Sequence, residues 1–222
     1  MRSVACCLIL TVWAVGAAAE GDATVSRLER RYRGATSLQA SFLERYREGG
    51  RTTRVEAGTV SFRRPGKMRW EYESPEPKLF VSDGRTVWFY VPGDRTVMRA
   101  RAEEDADWRM PFALLTRDPS MRKLCSRIAR ETNAEPSASG QALLRCTLKD
   151  QATGISEVLI GVDALTGDIG QVVLRQPGGV QIEFTFSGWK LNPPLPEREF
   201  RFAVPAGVAI VEGPESLAMP GH

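Results

Sequence analysis

Apolar and polar residues alternate with a period of two along most of the chain, and this pattern constrains the fold most strongly. In a β-strand, a period of two places alternate side chains on opposite faces, so these segments predict strands with one buried face. The apolar positions are Leu38, Ala40 and Phe42; Val60 and Phe62; Met68, Trp70 and Tyr72; Val87, Phe89 and Val91; and Val180, Ile182, Phe184 and Phe186. We expect a last strand over Phe200–Val204, after a rigid extended loop at Asn192–Pro196.

The segments between these strands are short turn sequences. Examples are Asp83-Gly84, Pro92-Gly93-Asp94, Thr166-Gly167-Asp168 and Pro177-Gly178-Gly179. Strands joined by short turns indicate an antiparallel meander. A long antiparallel sheet either closes into a barrel or curls around something that covers it. The sequence therefore predicts a mainly β (α+β) chain.

Two segments depart from the alternation. Residues Ala23–Arg33 carry Val25, Leu28 and Tyr32 at helical spacing, which predicts a short amphipathic helix. An insert at about 105–121 predicts one or two short helical pieces, with Pro111 in a first turn. Its apolar residues are Trp108, Met110, Phe112, Leu114 and Leu115. These residues need a partner surface, and the open apolar side of the curled sheet is the obvious one.

The N-terminus is typical of a secretory signal peptide over residues 1–19. Arg2 supplies the positive charge, Val4–Val15 is apolar, and Ala17–Ala19 offers small residues before a cleavage point. The apolar stretch is short for a membrane span, although an uncleaved anchor is the alternative interpretation. We expect residues 20–222 to form a single exported domain, since no linker or internal repeat divides them.

The cysteines fall into two pairs. Cys6 and Cys7 lie within or before the apolar part of the signal peptide, whereas a lipid-acceptor cysteine follows that part. Cys125 and Cys146 lie on either side of a loop at about 136–140, so we expect them to face each other across a hairpin. An exported protein permits a disulfide there, and the absence of C-x-x-C spacing favours a structural bond over a redox-active one.

The sequence offers little reactive chemistry. His222 is the sole histidine and the last residue, which argues against triads of the Ser-His-Asp type and against zinc sites. The net charge of +3 carries no basic run for nucleic acid, and no glycine-rich phosphate loop is present. Carboxylate pairs such as Glu71 and Glu73 allow a glycosidase-like role formally, but a solvated strand face explains them as well. We expect neither an enzyme nor a cofactor or metal.

Arg64 has the parity of Val60 and Phe62, so alternation directs it toward the apolar face of its strand, just before Pro65. Arginine is rarely buried without a partner. Two interpretations remain open on parity alone. Arg64 either extends to water at the rim or hydrogen-bonds main-chain carbonyls of a covering element as a latch.

At these residues the chain resembles LolA, a family of periplasmic carriers of outer-membrane lipoproteins. The segment Gly58–Trp70, which contains the Arg64-Pro65 pair, carries the resemblance most strongly. Supporting segments, in order along the chain, are Leu38–Phe42, Leu79–Gly84, Val87–Tyr90, Pro111–Leu115 and Phe200–Gly207.

The resemblance implies an incomplete, strongly curved antiparallel β-barrel whose apolar interior is covered by short lid helices. Acyl chains of lipoproteins would bind inside, against Phe62, Met68, Trp70, Phe89, Phe184 and Phe186. Phe112, Leu114 and Leu115 would belong to the lid, and Arg64 would hold the lid shut.

The resemblance also implies partners and a location. The expected protein is a periplasmic chaperone that acts as a monomer in outer-membrane biogenesis. An inner-membrane lipoprotein-releasing ABC transporter would load it, and an outer-membrane acceptor would receive the cargo. A related lipid- or glycolipid-binding protein, or an envelope sensor with the same fold, is the alternative.

Overall fold

The computed structural model describes residues 12–102, 112–117, 119–149, 155 and 157–213. Within these ranges, twelve strands form one sheet. The strands are β1 (Ser37–Glu48), β2 (Arg51–Arg63), β3 (Lys67–Ser74), β4 (Lys78–Ser82), β5 (Thr86–Tyr90), β6 (Thr96–Arg101), β7 (Cys125–Glu131), β8 (Gln141–Leu148), β9 (Glu157–Asp163), β10 (Ile169–Arg175), β11 (Gln181–Leu191) and β12 (Ala209–Glu212). The alternating segments predicted from the sequence all lie on or beside these strands.

The strand order across the sheet is β12-β6-β5-β4-β3-β2-β1-β11-β10-β9-β8-β7, so β12 and β7 are its two edges. Because these edges do not pair with each other, the barrel is incomplete, as expected. The neighbours are antiparallel with one exception, since β12 runs parallel to β6 with Ala209 opposite Thr96. The predicted antiparallel sheet is confirmed, and this parallel pair at its edge is the exception.

The predicted last strand over Phe200–Val204 is wrong. A 3₁₀ turn occupies Glu197–Phe200, and residues 201–205 form no strand. The chain there crosses the outer face of the sheet, where the ring of Phe202 lies 5.4 Å from the rings of both Trp88 and Tyr90. Ring packing, rather than strand pairing, therefore accounts for Phe202.

The sheet is strongly curved, as contacts across its inner face demonstrate. Strands β3 and β11 are three strand spacings apart, which is about 14 Å along a flat sheet. Nevertheless the ring centroids of Trp70 on β3 and Phe184 on β11 lie 5.2 Å apart. The sheet must curl around these side chains to bring them together, so the buried core lies on its concave face.

Gly58 marks a point on β2 where the neighbouring strand comes unusually close. A Cβ atom placed on this residue would lie 1.9 Å from the carbonyl oxygen of Glu71 on β3. Only glycine fits such an approach between two backbones. On the other side, Gly58 pairs with Phe42 of β1, whose ring packs over the gap against Trp70 and Tyr72.

Helix α1 (Val12–Arg33) contains the predicted helix over Ala23–Arg33 and begins earlier, inside the predicted signal peptide. Val25, Leu28 and Tyr32 are buried, as their spacing predicted. The Tyr32 hydroxyl accepts a hydrogen bond from the Ile169 amide at 2.9 Å. Arg31 pairs with Asp168 at 2.7 Å. These contacts fix the last turn of α1 to the connection between β9 and β10.

The helical insert is described in part. Phe112 directly precedes α2 (Ala113–Thr116), and α3 (Met121–Leu124) leads directly into β7. Trp108, Met110 and Pro111 lie outside the described residues. Among the helices that the structure describes, none is long and apolar enough to cross a membrane.

Cys125 and Cys146 form a disulfide between β7 and β8, with their Cα atoms 5.5 Å apart. The predicted hairpin is present, but the cysteines are not directly opposite each other. Cys125 pairs with Leu148 and Cys146 with Ile128, and a bulge between Cys125 and Arg127 shifts the register by one residue. The bond is therefore diagonal, and it ties the start of edge strand β7 to its neighbour.

Removing this disulfide should destabilise the fold. For a closed loop of this length (21 positions separate the cysteines), we expect the Cys125→Ser/Cys146→Ser variant to lose about 3 kcal/mol of unfolding free energy. Denaturant titration measures the loss, and reduced wild type is the matched control. Equal midpoints for oxidised wild type and the variant would show that the bond contributes nothing.

Candidate functional site

The concave face holds a cluster of aromatic side chains centred on Trp70, which is fully buried. The rings around Trp70 come from β1, β2 and β11. They belong to Phe42 (4.8 Å between centroids), Phe62 (6.1 Å), Phe184 (5.2 Å) and Phe186 (6.1 Å). Most pairs meet edge to face, the arrangement that aromatic quadrupoles favour. The cluster forms an apolar interior between strands that are distant in sequence.

Most of the predicted interior residues meet here. Phe62, Met68, Trp70, Phe184 and Phe186 are buried on the inner face. Phe89 lies further along the sheet on β5, opposite Phe80, and is half-buried. Phe42 belongs to the cluster too, and its alternation with Ala40 could have identified it.

Phe112 enters this cluster from outside the sheet. Its ring is fully buried and lies 5.0 Å from Trp70, 5.5 Å from Phe184, 6.3 Å from Phe62 and 6.4 Å from Phe186. We call residues 112–117, which include α2, the lid. Leu115 of the lid is also buried, while the side chain of Leu114 lies outside the described residues. The lid therefore occupies the middle of the apolar interior.

The Arg64 side chain reaches main-chain carbonyls of two helices. Its Nε donates to the Leu115 carbonyl at 3.3 Å, in the lid. Its Nη1 donates to the carbonyls of Tyr32 and Ala35, both at 2.8 Å, at the end of α1. These carbonyls lie at helix ends, where intrahelical partners run out. Of the two interpretations open from parity, the geometry agrees with bonding to covering elements.

A main-chain bond supports the same contact. The Gly66 amide, in the turn after β2, donates to the Thr116 carbonyl at 3.0 Å. Arg64 and Gly66 together bond successive carbonyls at the end of α2. The lid is thus held at its C-terminal end by polar bonds from one turn, and at its other end by the packing of Phe112.

At the opposite end of β2, the inner face carries charged side chains that the sequence analysis missed. Glu44 and Glu56 are opposite each other on β1 and β2, and only 3% and 4% of their surfaces are exposed. Glu56 pairs with Lys78 and, at 3.3 Å, with Arg54. Glu44 accepts a hydrogen bond from the Tyr72 hydroxyl at 2.8 Å. Glu44 has the same parity as Phe42 on β1, and this pattern could have predicted that its side chain points to the inner face.

Burial raises the pKa of Glu44 to about 7, against an ordinary value of 4.5. The Tyr72 hydrogen bond lowers the pKa, but by less than the loss of hydration raises it. The apolar interior is therefore bounded by Arg64 at one end and by an ionisable group at the other.

Among the described residues, no group of three or more His, Cys, Asp or Glu is placed to hold a metal ion.

The family model for the outer membrane lipoprotein carrier protein LolA matches residues 33–203, a range that contains the aromatic cluster, the lid and Arg64. The chain belongs to the LolA family. A relative in Cupriavidus necator named outer-membrane lipoprotein carrier protein is 30% identical, over 94% of this chain and 97% of its own. A Vibrio campbellii protein of the same name is 35% identical, over 72% of each chain.

The LolA-family fold of this chain is also similar to a solved structure. An uncharacterized conserved protein from Thermus thermophilus superimposes with a TM-score of 0.54, over 87% of this chain and 99% of its own. The two sequences are 14% identical. At that identity the likeness supports the fold alone.

Glu44 should make stability depend on pH. The folded chain keeps the proton of this carboxyl to about pH 7, whereas the unfolded chain releases it near pH 4.5. The unfolding free energy should therefore fall as the pH rises through this window and then level off. Glu44→Gln should remove that slope in denaturant titrations across the window. Glu71→Gln, on the exposed face, is the control, and an unchanged slope in Glu44→Gln would contradict the assignment.

Proposed function

We propose that this protein carries acylated lipoproteins through the periplasm, from the inner to the outer membrane, with their acyl chains in the apolar interior. The observation that carries the proposal is the position of Phe112. This lid residue fills the centre of an aromatic cluster, yet polar bonds to Arg64 and Gly66 hold the lid from one side. An interior filled by a separate segment can be emptied and refilled without unfolding the sheet.

A carrier is needed because acyl chains are costly to expose to water. Three chains contain on the order of forty methylenes, and at about 0.8 kcal/mol each their exposure costs roughly 30 kcal/mol. A cavity must offset most of this cost and still release the chains. Rings and the flexible side chain of Met68 suit the purpose, since they adapt to chains of different shape.

Lid and cargo compete for the same space in this proposal. Phe112 and an acyl chain cannot both lie against Trp70, so cargo binding requires the lid to leave. Closure of the lid, through the bonds from Arg64, then favours release of the cargo to an acceptor. A ligand shifts such an equilibrium only by its difference in affinity for the two states.

The remaining parts of the proposal concern export and partners. Residues 1–19 act as a signal peptide that is removed after export, and residues 20–222 work as a monomeric domain without catalytic activity. An inner-membrane ABC transporter loads the carrier, and an outer-membrane acceptor unloads it. Membership of the LolA family supports these assignments.

The first test is release of lipoproteins from washed spheroplasts. Purified mature protein should move newly made lipoproteins from the spheroplast membrane into the supernatant as soluble complexes. Mass spectrometry of lipids retained on the natively purified protein gives a second readout. Retention of glycolipid alone, or of no lipid together with no release, would contradict the lipoprotein cargo.

Arg64→Leu should weaken lid closure and shift the lid toward open. Loss of charge-assisted bonds to main-chain carbonyls should raise cargo affinity by about tenfold. Transfer of bound lipoprotein to acceptor membranes should slow accordingly, which a transfer time course measures.

Arg63→Leu is the matched control, because it removes the same charge from the neighbouring position. Arg63 binds the Leu195 carbonyl and Glu197 rather than the lid. Transfer and lid dynamics that stay at wild-type values in Arg64→Leu would overturn the latch assignment.

A further inference from the structure

Among the residues that the structure describes, none accepts a hydrogen bond from the indole N–H of Trp70. Trp70 is fully buried, and its Nε1 is inaccessible to solvent and unpaired within the part of the chain that the structure describes. The rings packed around it come from Phe42, Phe62, Phe112, Phe184 and Phe186, none of which has an acceptor oxygen or nitrogen. A donor is therefore enclosed among apolar groups at the centre of the interior.

Other polar groups at the borders of this interior are paired. The indole of Trp189 donates to the Ile169 carbonyl at 2.6 Å. The hydroxyls of Tyr32 and Tyr72 bond to Ile169 and Glu44. A buried donor without an acceptor is destabilising, and native structures contain few. A phenylalanine at position 70 would supply a ring without this cost. We therefore looked for a state of the protein in which the indole N–H is hydrogen-bonded.

We propose that the Trp70 indole N–H is a binding site for an acyl carbonyl oxygen, of an ester or an amide, in the lipid that replaces the lid. This inference rests on the proposed function, because it requires an acylated ligand in the interior. Ester carbonyls accept hydrogen bonds and cannot donate them, and an indole donates and cannot accept. The two groups are complementary, and the surrounding rings exclude the water that would otherwise compete.

The position of Phe112 explains why the N–H is unpaired in the closed structure. The Phe112 ring lies 5.0 Å from Trp70 and offers no acceptor. When the lid leaves, the face of the interior around Trp70 opens to the ligand. A carbonyl placed there satisfies the donor, whereas the methylene that replaces this carbonyl in an alkyl ether leaves it unpaired. The site therefore selects acyl esters and amides over alkyl ethers of the same length.

A pair of lipids that differ only at the carbonyl tests the site. We would compare a 1,2-diacylglycerol with the 1,2-dialkylglycerol ether of equal chain length, each presented to the mature protein. Wild type should bind the ester about five- to tenfold more tightly, the typical contribution of one hydrogen bond. The Trp70 indole proton, observed by ¹⁵N-resolved NMR, should move downfield with the ester and not with the ether.

Variants then separate the hydrogen bond from packing. Trp70→Phe should bind ester and ether equally, while Trp88→Phe, on the outer face, should keep the preference for the ester. The NMR comparison uses wild type alone, so it decides the question even if Trp70→Phe folds poorly. Equal binding of both lipids by wild type, with the same indole shift, would overturn this site and leave the carrier proposal standing. Failure of wild type to bind either lipid would overturn both.

Discussion

The structure depends on covering an apolar concave face that the sheet itself leaves open. Strands β7 and β12 do not pair, so no strand in the described part of the chain closes the sheet over the rings gathered around Trp70. Exposed apolar area of that extent is unfavourable in water. Helix α1 and the lid supply the missing cover, and they do so differently. Tyr32 and Arg31 fix α1 to the far side of the sheet, whereas the lid relies on Phe112 and on bonds from one turn.

The bonds between that turn and the lid are suited to reversible closure. Arg64 bonds carbonyl oxygens at the ends of α1 and the lid, groups that water can also satisfy. Opening the lid therefore exchanges protein hydrogen bonds for hydration, at a modest net cost. The larger cost is exposure of the Phe112 pocket, and a hydrophobic ligand removes it by occupying the same space. The same interior is therefore filled either by the lid or by the ligand.

Local patterns predicted much of the fold and of this site. Alternation identified most of the inner residues because side-chain direction in a strand is set by parity, and the same rule directed Arg64 inward. Contacts that depend on register were harder to predict. Glu44 shares the parity of Phe42, but its burial follows from Glu56 and Tyr72 on neighbouring strands. Its raised pKa could not be inferred without them.

Strand β12 is a second feature that could not be predicted from the sequence. Its residues are exposed, with no alternation to mark a strand, and one ion pair between Arg99 and Glu212 accompanies its pairing with β6. Phe200 and Phe202 gave a stronger apolar signal nearby, but Phe200 is buried in a 3₁₀ turn and Phe202 packs against Trp88 and Tyr90. The diagonal disulfide was equally hard to predict, because the spacing of the cysteines does not reveal how β7 is registered on β8.

Amide hydrogen exchange at Gly66 tests most directly whether lid and cargo exclude each other. The Gly66 amide bonds to the lid carbonyl of Thr116, while the Arg64 amide bonds to Thr36 beside α1. Exchange resolved by residue reports opening of each bond separately. Saturation with a tri-acylated lipopeptide should remove protection at Gly66 and preserve it at Arg64. Protection that persists at Gly66 in the loaded protein would contradict competition between lid and cargo.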